Sequence, residues 1–359
     1  MITFLIFFAL LFVLIISHEC GHFFAARAFG IRVDEFGFGL PPRIIGVRKG
    51  PTLYSLNWLP FGGFVRIYGE EGESDDPDSF GKKSAKIRLL VLVSGVAANV
   101  LLAYFVFSFL TTRGITEPLL EEEALGMPDA RITIVETAPF SPAFTAGLQA
   151  GDAVLQIGET LDRVFVPQTI DGLQKYIAAR AGQSLVLLVL RDGSEIFFSL
   201  EPRAAPPPGE GPIGVALSWT RIERAAWYEA PIAGAKLTYQ ATANTVSGFA
   251  MIIRDVFRGE GRHVPVAGPV GIFHIVGDAK KSGLDMMLFL TAVLSINLAL
   301  INILPIPGLD GGRFAFVLAE AVTRRRISPR ISAVVHGAGL AFLLTLMILI
   351  TYLDIARIF

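Results

Sequence analysis

Four long apolar runs constrain the fold of this chain more than any other feature of its sequence. They cover about residues 1–29, 89–110, 284–306 and 331–353. A helix needs about 20 apolar residues to cross roughly 30 Å of hydrocarbon at 1.5 Å per residue. The runs therefore predict a polytopic α-helical membrane protein with about four transmembrane helices, and a composition of 52% hydrophobic and 18% charged residues agrees with this.

The first run is expected to be retained, and the basic residues predict its orientation. It lacks the basic start and small-residue cleavage site of a secretory signal peptide, and polar residues follow directly after Ser17. Lys and Arg are concentrated in residues 30–88 and 313–330. Because short cytoplasmic loops carry an excess of these residues, both segments are predicted to be cytoplasmic, and the long segment 113–280 to lie outside.

Charge and cysteine content exclude two kinds of explanation. The formal net charge of −1 gives no sign of a nucleic-acid partner, since that role needs a clustered excess of Lys and Arg. The single cysteine, Cys20, rules out an internal disulfide. Membrane lipid is the environment that the composition does imply.

Between about residues 130 and 203 the apolar runs give way to short alternating segments. These predict a β-rich domain with strands and one amphipathic helix, at 131–136, 152–157, 170–179 (the helix), 184–190 and 195–200. The stretch from Ser141 to Asp152 contains AGLxxGD and resembles the carboxylate-loop region of PDZ domains in bacterial proteases. The resemblance implies peptide binding at Ala146, Gly147 and Leu148. The alternative is a small β-rich domain with a chance turn of this pattern.

These patterns divide the chain into four parts. Residues 1–112 hold the first two spans, 113–203 the PDZ domain, and 281–359 the last two spans. Residues 204–280 begin with a Pro-rich linker. Within them, 225–258 is moderately apolar but interrupted by Pro231 and charges, so an interfacial amphipathic helix is favoured over a fifth span.

The first apolar run contains the sequence His18-Glu19-Cys20-Gly21-His22, an HExxH motif. Residues four apart share one face of a helix, so both imidazoles can bind one Zn²⁺ with Glu19 beside them as a general base. A chance match is the alternative, but two His and a Glu are expensive in hydrocarbon and persist there mainly for ion, proton or metal chemistry. We expect a zinc site here.

Two histidines leave a catalytic zinc one protein ligand short. Asp310 is a candidate, because it follows an apolar helix that Pro305 and Pro307 interrupt, and irregular backbone at membrane depth is tolerated where it lines a cavity. A helix end that turns into a solvated loop explains Asp310 equally well. The residues by themselves leave these two readings open.

HExxH in a first span, a PDZ-like domain and the distal sequence Asn302-Ile-Leu-Pro305-Ile-Pro-Gly-Leu-Asp310-Gly-Gly together resemble the site-2 protease family of intramembrane metalloproteases. The similarity is to the bacterial regulator-of-sigma-E protease type, here with a single PDZ domain. It implies that His18, His22 and Asp310 bind zinc and that Glu19 is the base. It further implies that Asn302 and Pro305 hold the substrate backbone. Residues 37–66 are similar to the membrane-re-entrant β-loop of the family.

The resemblance also implies partners and a location. The expected substrate is a single-pass membrane protein in the bacterial inner membrane, such as an anti-sigma factor already trimmed by an upstream site-1-type protease, or a signal-peptide remnant. The PDZ domain would be extracytoplasmic, and the zinc site would lie towards the cytoplasm. The main alternative function is a non-catalytic membrane PDZ adaptor with a structural zinc.

Overall fold

The computed structural model describes residues 2–70, 76–160, 163–191, 193–258 and 268–358. The chain forms two compact units, which are described separately. The helical unit consists of Met1–Leu110 and Trp227–Phe359, and the sheet unit consists of Thr111–Ala226.

The elements follow one another in the order α1 (Ile2–Ala28), β1 (Val33–Lys49), β2 (Thr52–Ile67), α2 (Ala85–Arg113), β3 (Ile115–Leu119), α3 (Glu121–Ala124), β4 (Arg131–Thr137), α4 (Pro142–Ala146), β5 (Ala153–Thr160), β6 (Arg163–Phe165), α5 (Ile170–Ala178), β7 (Leu185–Arg191), β8 (Ser194–Leu200), β9 (Val215–Glu223), α6 (Ala230–Phe257), α7 (Pro269–Lys281), α8 (Leu284–Ile303), α9 (Asp310–Thr323) and α10 (Pro329–Ile358).

Four helices in the described part of the chain are long and apolar enough to cross a membrane. They are α1, α2, α8 and, within α10, Arg330–Ala356. Each coincides with one predicted apolar run. Helices that are apolar on all sides belong to a membrane or to a large core. The helical unit is therefore that of a polytopic membrane protein.

The segment that the sequence left ambiguous, 225–258, contains the 28-residue helix α6. Among the described residues, α6 is not one of the helices that are long and apolar enough to cross a membrane. Thr245 Oγ1 on α6 lies 3.0 Å from Asn297 Oδ1 on α8 and donates a hydrogen bond to it. The helix therefore packs against a predicted span through at least one polar contact.

Strands β1 and β2 fold into a small sheet within the helical unit, which we call the hairpin. Residues 36–38 of β1 are in register with both 54–56 and 63–65 of β2, and 47–49 pair with 52–54. Residues 63–65 therefore form one edge of the hairpin. Glu35 is buried between the strands, where Ser55 and Arg43 donate hydrogen bonds to its carboxylate at 2.7 and 3.0 Å.

The sheet unit is built on a seven-stranded sheet. Its strand order is β3-β9-β4-β5-β7-β8, with β6 paired to β5. Alternate side chains of β4, β5 and β7 point to one face, as the period of two requires, and pack with the apolar face of α5. The largest fully buried side chains of this core are Ile132, Ile134, Ile157, Leu173, Leu185, Leu187 and Val189.

The sheet unit extends beyond the predicted boundary at residue 203. Strand β9 lies between β3 and β4, so 215–223 belongs to the sheet and not to a linker. The Pro-rich stretch 202–212 is a connection inside the unit. The boundary differs because β9 is specified by pairing with strands about 80 to 100 positions away, which a local sequence pattern does not display.

Candidate metal centre

Three side chains from distant parts of the chain meet in the helical unit. Nε2 of His18 and Nε2 of His22 lie 2.8 and 3.0 Å from Oδ2 of Asp310, and the two nitrogens are 3.2 Å apart. Both histidines are buried and Asp310 is half-buried. Among the described residues, these three form a group of side chains whose ligand atoms lie close enough together to hold a metal ion.

Two glycines allow α1 and α2 to approach closely beside the histidines. A Cβ on Gly21 would lie 2.2 Å from the carbonyl oxygen of Ser94, and a Cβ on Gly95 would lie 2.3 Å from Nε2 of His22. Real Cβ atoms essentially never come so near another heavy atom. Gly21 inside the HExxH motif and Gly95 on α2 therefore make room for the two rings.

The hydrogen bond of His22 to α2 defines its tautomer. Nδ1 of His22 lies 2.8 Å from the backbone oxygen of Val91, and a carbonyl can only accept, so Nδ1 carries the proton. A neutral His22 ring then presents a lone pair at Nε2. Metal-bound histidines commonly donate their other ring N–H to a carbonyl in this way.

The three converging atoms fit a zinc ion. Ligand atoms around a tetrahedral zinc lie about 3.3 Å apart, given bonds of about 2.0 to 2.1 Å. The separations of 2.8 to 3.2 Å here are close to that value. A lone pair at Nε2 of His22 directed at a carboxylate oxygen needs a cation or a proton between them. The donor set of two imidazoles and one carboxylate is that of a catalytic zinc site with one position left for water or substrate.

Asp310 reaches the histidines because α8 ends at Ile303 and a short loop leads to the start of α9. Helix α8 ends at Ile303, two residues before Pro305, and Asp310 is the first residue of α9. Gly311 and Gly312 let this turn close up, since a Cβ on either would collide with the carbonyl oxygens of residues 303–306.

Helix α10 supports the same turn. Nδ1 of His336 accepts a hydrogen bond from the backbone N–H of Gly308 at 3.1 Å, and its ring packs on Phe316 of α9 with centroids 5.0 Å apart. Gly339 is in contact with Pro307, because a Cβ there would lie 2.0 Å from the Pro307 oxygen. His336 thus contacts the segment that leads to Asp310, which nothing in its sequence spacing indicated.

Glu19 lies beside the ligands and against the hairpin. It is half-buried on α1, next to His18, and is not one of the three converging residues. A Cβ on Gly63 would lie 3.2 Å from Cγ of Glu19 and 2.8 Å from Ile15. The edge of the hairpin therefore runs next to the glutamate.

Asn302 and Pro305 lie on the segment that leads to Asp310. Asn302 is half-buried in the last turn of α8, and Pro305 is exposed just beyond the helix end. Neither belongs to the group of converging ligand atoms. Their expected contact with substrate stays a prediction.

Ala146, Gly147 and Leu148 do not form an open edge in the sheet unit. The N–H groups of Gly147 and Leu148 donate to the carbonyls of Phe144 and Ala143, at 3.1 and 3.0 Å, and the Leu148 side chain is in the core. The carbonyl of Gly147 accepts from Arg191, which also forms an ion pair with buried Asp152 at 2.6 Å. These hydrogen bonds use the groups that peptide capture would need, so the motif acts here as a structural turn.

A different backbone edge of the sheet unit is open. Strand β3 pairs with residues 219–223 of β9, whereas 215–218 pair only with β4 among the described residues. Helix α5 contacts β9. The sequence signal that could have indicated this edge is the segment just before β9, Gly211-Pro-Ile-Gly214, where Gly214 has φ of 70°.

The sequence matches peptidase family M50 over residues 6–346. A putative zinc metalloprotease of Clostridium perfringens is 33% identical over 344 residues, which cover 95% of both chains. A putative zinc metalloprotease of Campylobacter jejuni is 30% identical over 362 residues, which cover 96% of this chain and 91% of that protein. The zinc metalloprotease RasP of Oceanobacillus iheyensis is 27% identical over 438 residues, which cover 97% of both chains.

Proposed function

This chain belongs to peptidase family M50 and is a zinc metalloprotease, and from that premise we propose that it hydrolyses peptide bonds inside the membrane-spanning segments of other membrane proteins. One observation carries the proposal: both histidines of the metal cluster lie on α1, a helix long and apolar enough to cross a membrane. Metal-binding side chains in such a helix are costly in hydrocarbon and are retained there for chemistry.

His18, His22 and Asp310 would hold the zinc ion. When bound, zinc polarises the scissile carbonyl and lowers the pKa of water towards neutrality. Glu19 serves as the general base that takes the proton of the attacking water. It suits this role because it lies next to the three ligands without being one of them.

The hairpin would present the substrate in extended form. Its edge at residues 63–65 is next to Glu19, and an extended peptide can add to a sheet edge through main-chain hydrogen bonds. An extended substrate is required because the carbonyls of a helix are already hydrogen-bonded and crowded. Asn302 and Pro305 would support the same backbone from the side of α8.

Exposed apolar side chains of the hairpin support its insertion into the membrane. More than half of the surface of Ile44, Val47 and Trp58 is accessible, although all three are large and apolar. Exposed apolar patches of this kind mark membrane or protein interaction sites. We therefore assign the hairpin as a membrane-re-entrant β-loop.

The sheet unit would act as a PDZ-like domain that limits access of substrates. On the side of β9 away from β4, residues 215–218 pair with no strand among the described residues, and a peptide could add there as a further strand. This edge replaces Ala146, Gly147 and Leu148 as the proposed site of peptide capture. It could bind a chain end that an upstream site-1-type protease has produced.

The location is proposed from the distribution of basic residues. The segments 30–88 and 313–330 would be cytoplasmic, which puts the zinc site towards the cytoplasm of a bacterial inner membrane and the sheet unit outside. The substrates that fit this arrangement are single-pass membrane proteins, such as an anti-sigma factor after a first cleavage, or signal-peptide remnants.

The test is cleavage of a purified single-pass membrane protein, shortened outside the bilayer and incorporated into lipid vesicles with the enzyme. The wild type should release a fragment whose new end maps inside the membrane segment. Glu19→Gln should retain zinc and fold but give no fragment, because the general base is lost. Glu195→Gln, which changes an exposed glutamate of β8, is the matched control and should cleave normally.

Two outcomes would contradict the proposal. Turnover by Glu19→Gln at the wild-type rate would show that Glu19 is not the general base. Cleavage of soluble peptides only, with the membrane segment left intact by the wild type, would leave a zinc protease that does not act within the bilayer.

A further inference from the structure

Strand β2 of the helical unit and the turn that follows it contact both halves of the candidate metal centre. Four residues before its end, β2 packs on α1 at Gly63, where a Cβ would lie 3.2 Å from Cγ of Glu19. Seven positions further along the chain, the carboxylate of Glu70 accepts a hydrogen bond from Arg313 of α9 at 2.5 Å. Residues 63–70 thus link the proposed base to the helix that carries the third ligand.

Glu70 is held in a fixed position at the end of this strand. The N–H of Tyr68 donates to the Arg32 oxygen at 2.9 Å, and the N–H of Glu70 donates to the Ile67 oxygen at 3.3 Å. Gly69 between them has φ of 72°, a conformation that favours glycine. The Glu70 side chain is only 12% exposed. The carboxylate is therefore placed by a tight turn at residues 67–70.

Arg313, the partner of Glu70, lies close to Asp310 on α9. It is three residues after Asp310, within one turn of the start of α9, and residues three apart share one face of a helix. Gly311 and Gly312 pack against the preceding loop, so this turn has little freedom. A displacement of Arg313 along the hairpin would therefore displace Asp310 with it.

We propose that the ion pair of Glu70 and Arg313 sets the position of the hairpin edge relative to Asp310, and so determines which peptide bond of an extended substrate lies at the zinc. The proposal rests on the function assigned above. A substrate strand bound to residues 63–65 is positioned by the hairpin, whereas the attack occurs at the ligands. This ion pair then fixes the register of cleavage, and Glu70 and Arg313 are positioning residues for specificity.

The chain provides a matched control in a second ion pair on the same helix. Arg88 of α2 donates to Glu320 of α9 at 2.8 Å, and both side chains are about as buried as Glu70. Glu320 lies ten residues beyond Asp310, or about 15 Å at 1.5 Å per residue. Loss of this pair should weaken the contact between α9 and α2 without changing the link between the hairpin and Asp310.

The experiment compares Glu70→Gln, Arg313→Met, the exchanged pair Glu70→Arg with Arg313→Glu, and Glu320→Gln in the full chain. Zinc content, kcat/KM and the cut positions, mapped by mass spectrometry, are measured on the same membrane substrate. Glu70→Gln and Arg313→Met should keep their zinc, lose up to about 100-fold in kcat/KM and cut at several neighbouring bonds. The exchanged pair should restore the single cut, and Glu320→Gln should keep it.

A distance measurement makes the test independent of turnover. Spin labels on exposed Ile44 of the hairpin and Leu318 of α9, in a Cys20→Ser chain, report their separation by electron paramagnetic resonance. The distance distribution should broaden in Glu70→Gln and not in Glu320→Gln. An unchanged distribution, or an unchanged cut position in both single variants, would overturn the inference. A wild type that cuts no membrane segment contradicts the proposed function instead, and the distances still decide whether the ion pair holds the hairpin.

Discussion

Oδ2 of Asp310 lies 2.8 Å from Nε2 of His18, although 292 positions separate the two residues in the sequence. No local motif joins them. The contact exists because α8 ends before Pro305 and α9 starts at Asp310, against the buried face of α1. The metal centre is therefore a property of the packed helices and can be tested one contact at a time.

Asp310→Asn should weaken zinc binding by about 100-fold or more, since loss of a ligand exceeds the 10 to 100-fold effect usual for the groups that support ligands. Zinc affinity is measured by competition with a chelator in the purified chain. Asp354→Asn is the control, because Asp354 is a buried carboxylate that accepts from the Gly271 N–H at 2.8 Å and takes no part in the metal cluster. Equal affinity in the wild type and in Asp310→Asn would mean that the third ligand is another group.

Gly95→Ala should prevent the close crossing of α1 and α2. The new methyl group would have to occupy a point 2.3 Å from Nε2 of His22, so either the helices separate or the ring moves. We expect at least a tenfold loss of zinc affinity, as for a disturbed ligand orientation. Gly248→Ala on α6 has no neighbour within 4 Å of its Cβ and should bind zinc as the wild type does. Wild-type zinc affinity in Gly95→Ala would show that this crossing does not position the ring.

His336→Ala should loosen the turn before Asp310. The Gly308 N–H loses its acceptor, which costs about 1 kcal/mol and lowers the melting temperature by about 2 to 4 °C in a chain of this size. His336→Asn places an acceptor near the position of Nδ1 and should recover part of this loss. Thermal unfolding in detergent, followed together with zinc release, provides the measurement. A melting temperature of His336→Ala equal to that of the wild type would contradict the predicted support.

Asp152→Ala should destabilise the sheet unit by about 3 kcal/mol. Arg191 would lose its buried partner and the Gln149 N–H its acceptor at 2.9 Å. Asp171→Ala is the control, since its pair with Lys175 is exposed and should contribute less than about 1 kcal/mol. Pulse proteolysis of the full chain in urea, with cleavage mapped to residues 111–226, measures the loss of stability in each variant. Equal losses would mean that the turn does not depend on Asp152.

The sequence predicted the parts of this fold that depend on short patterns. Each apolar run forms a membrane-length helix, because hydrophobicity over about 20 residues needs no tertiary context. Membership of the site-2 protease family is confirmed by the match to peptidase family M50. The HExxH spacing brought His18 and His22 together for the same local reason, since i and i+4 share a helix face.

Long-range contacts set the limit of these predictions. Spacing alone left Asp310 open between a ligand and a turn, because its role depends on where α9 packs. No motif or spacing points to a role for His336, because its contact with Gly308 spans 28 positions. In the sheet unit, the AGLxxGD pattern indicated peptide capture at Gly147. The hydrogen bond from Arg191 to the Gly147 carbonyl comes from β7, 44 positions away, and is invisible in the motif.

The separation of the metal ligands has a consequence for biosynthesis. His22 and Asp310 are 288 positions apart, so a ribosome that adds about 5 to 20 residues per second needs about 15 to 60 s between them. During that interval the nascent chain exposes α1 to the membrane without its third ligand. A ribosome-bound intermediate would therefore have no complete centre with which to attack its neighbours, and proteolytic competence would arise only after α9 has been synthesised and has folded against α1.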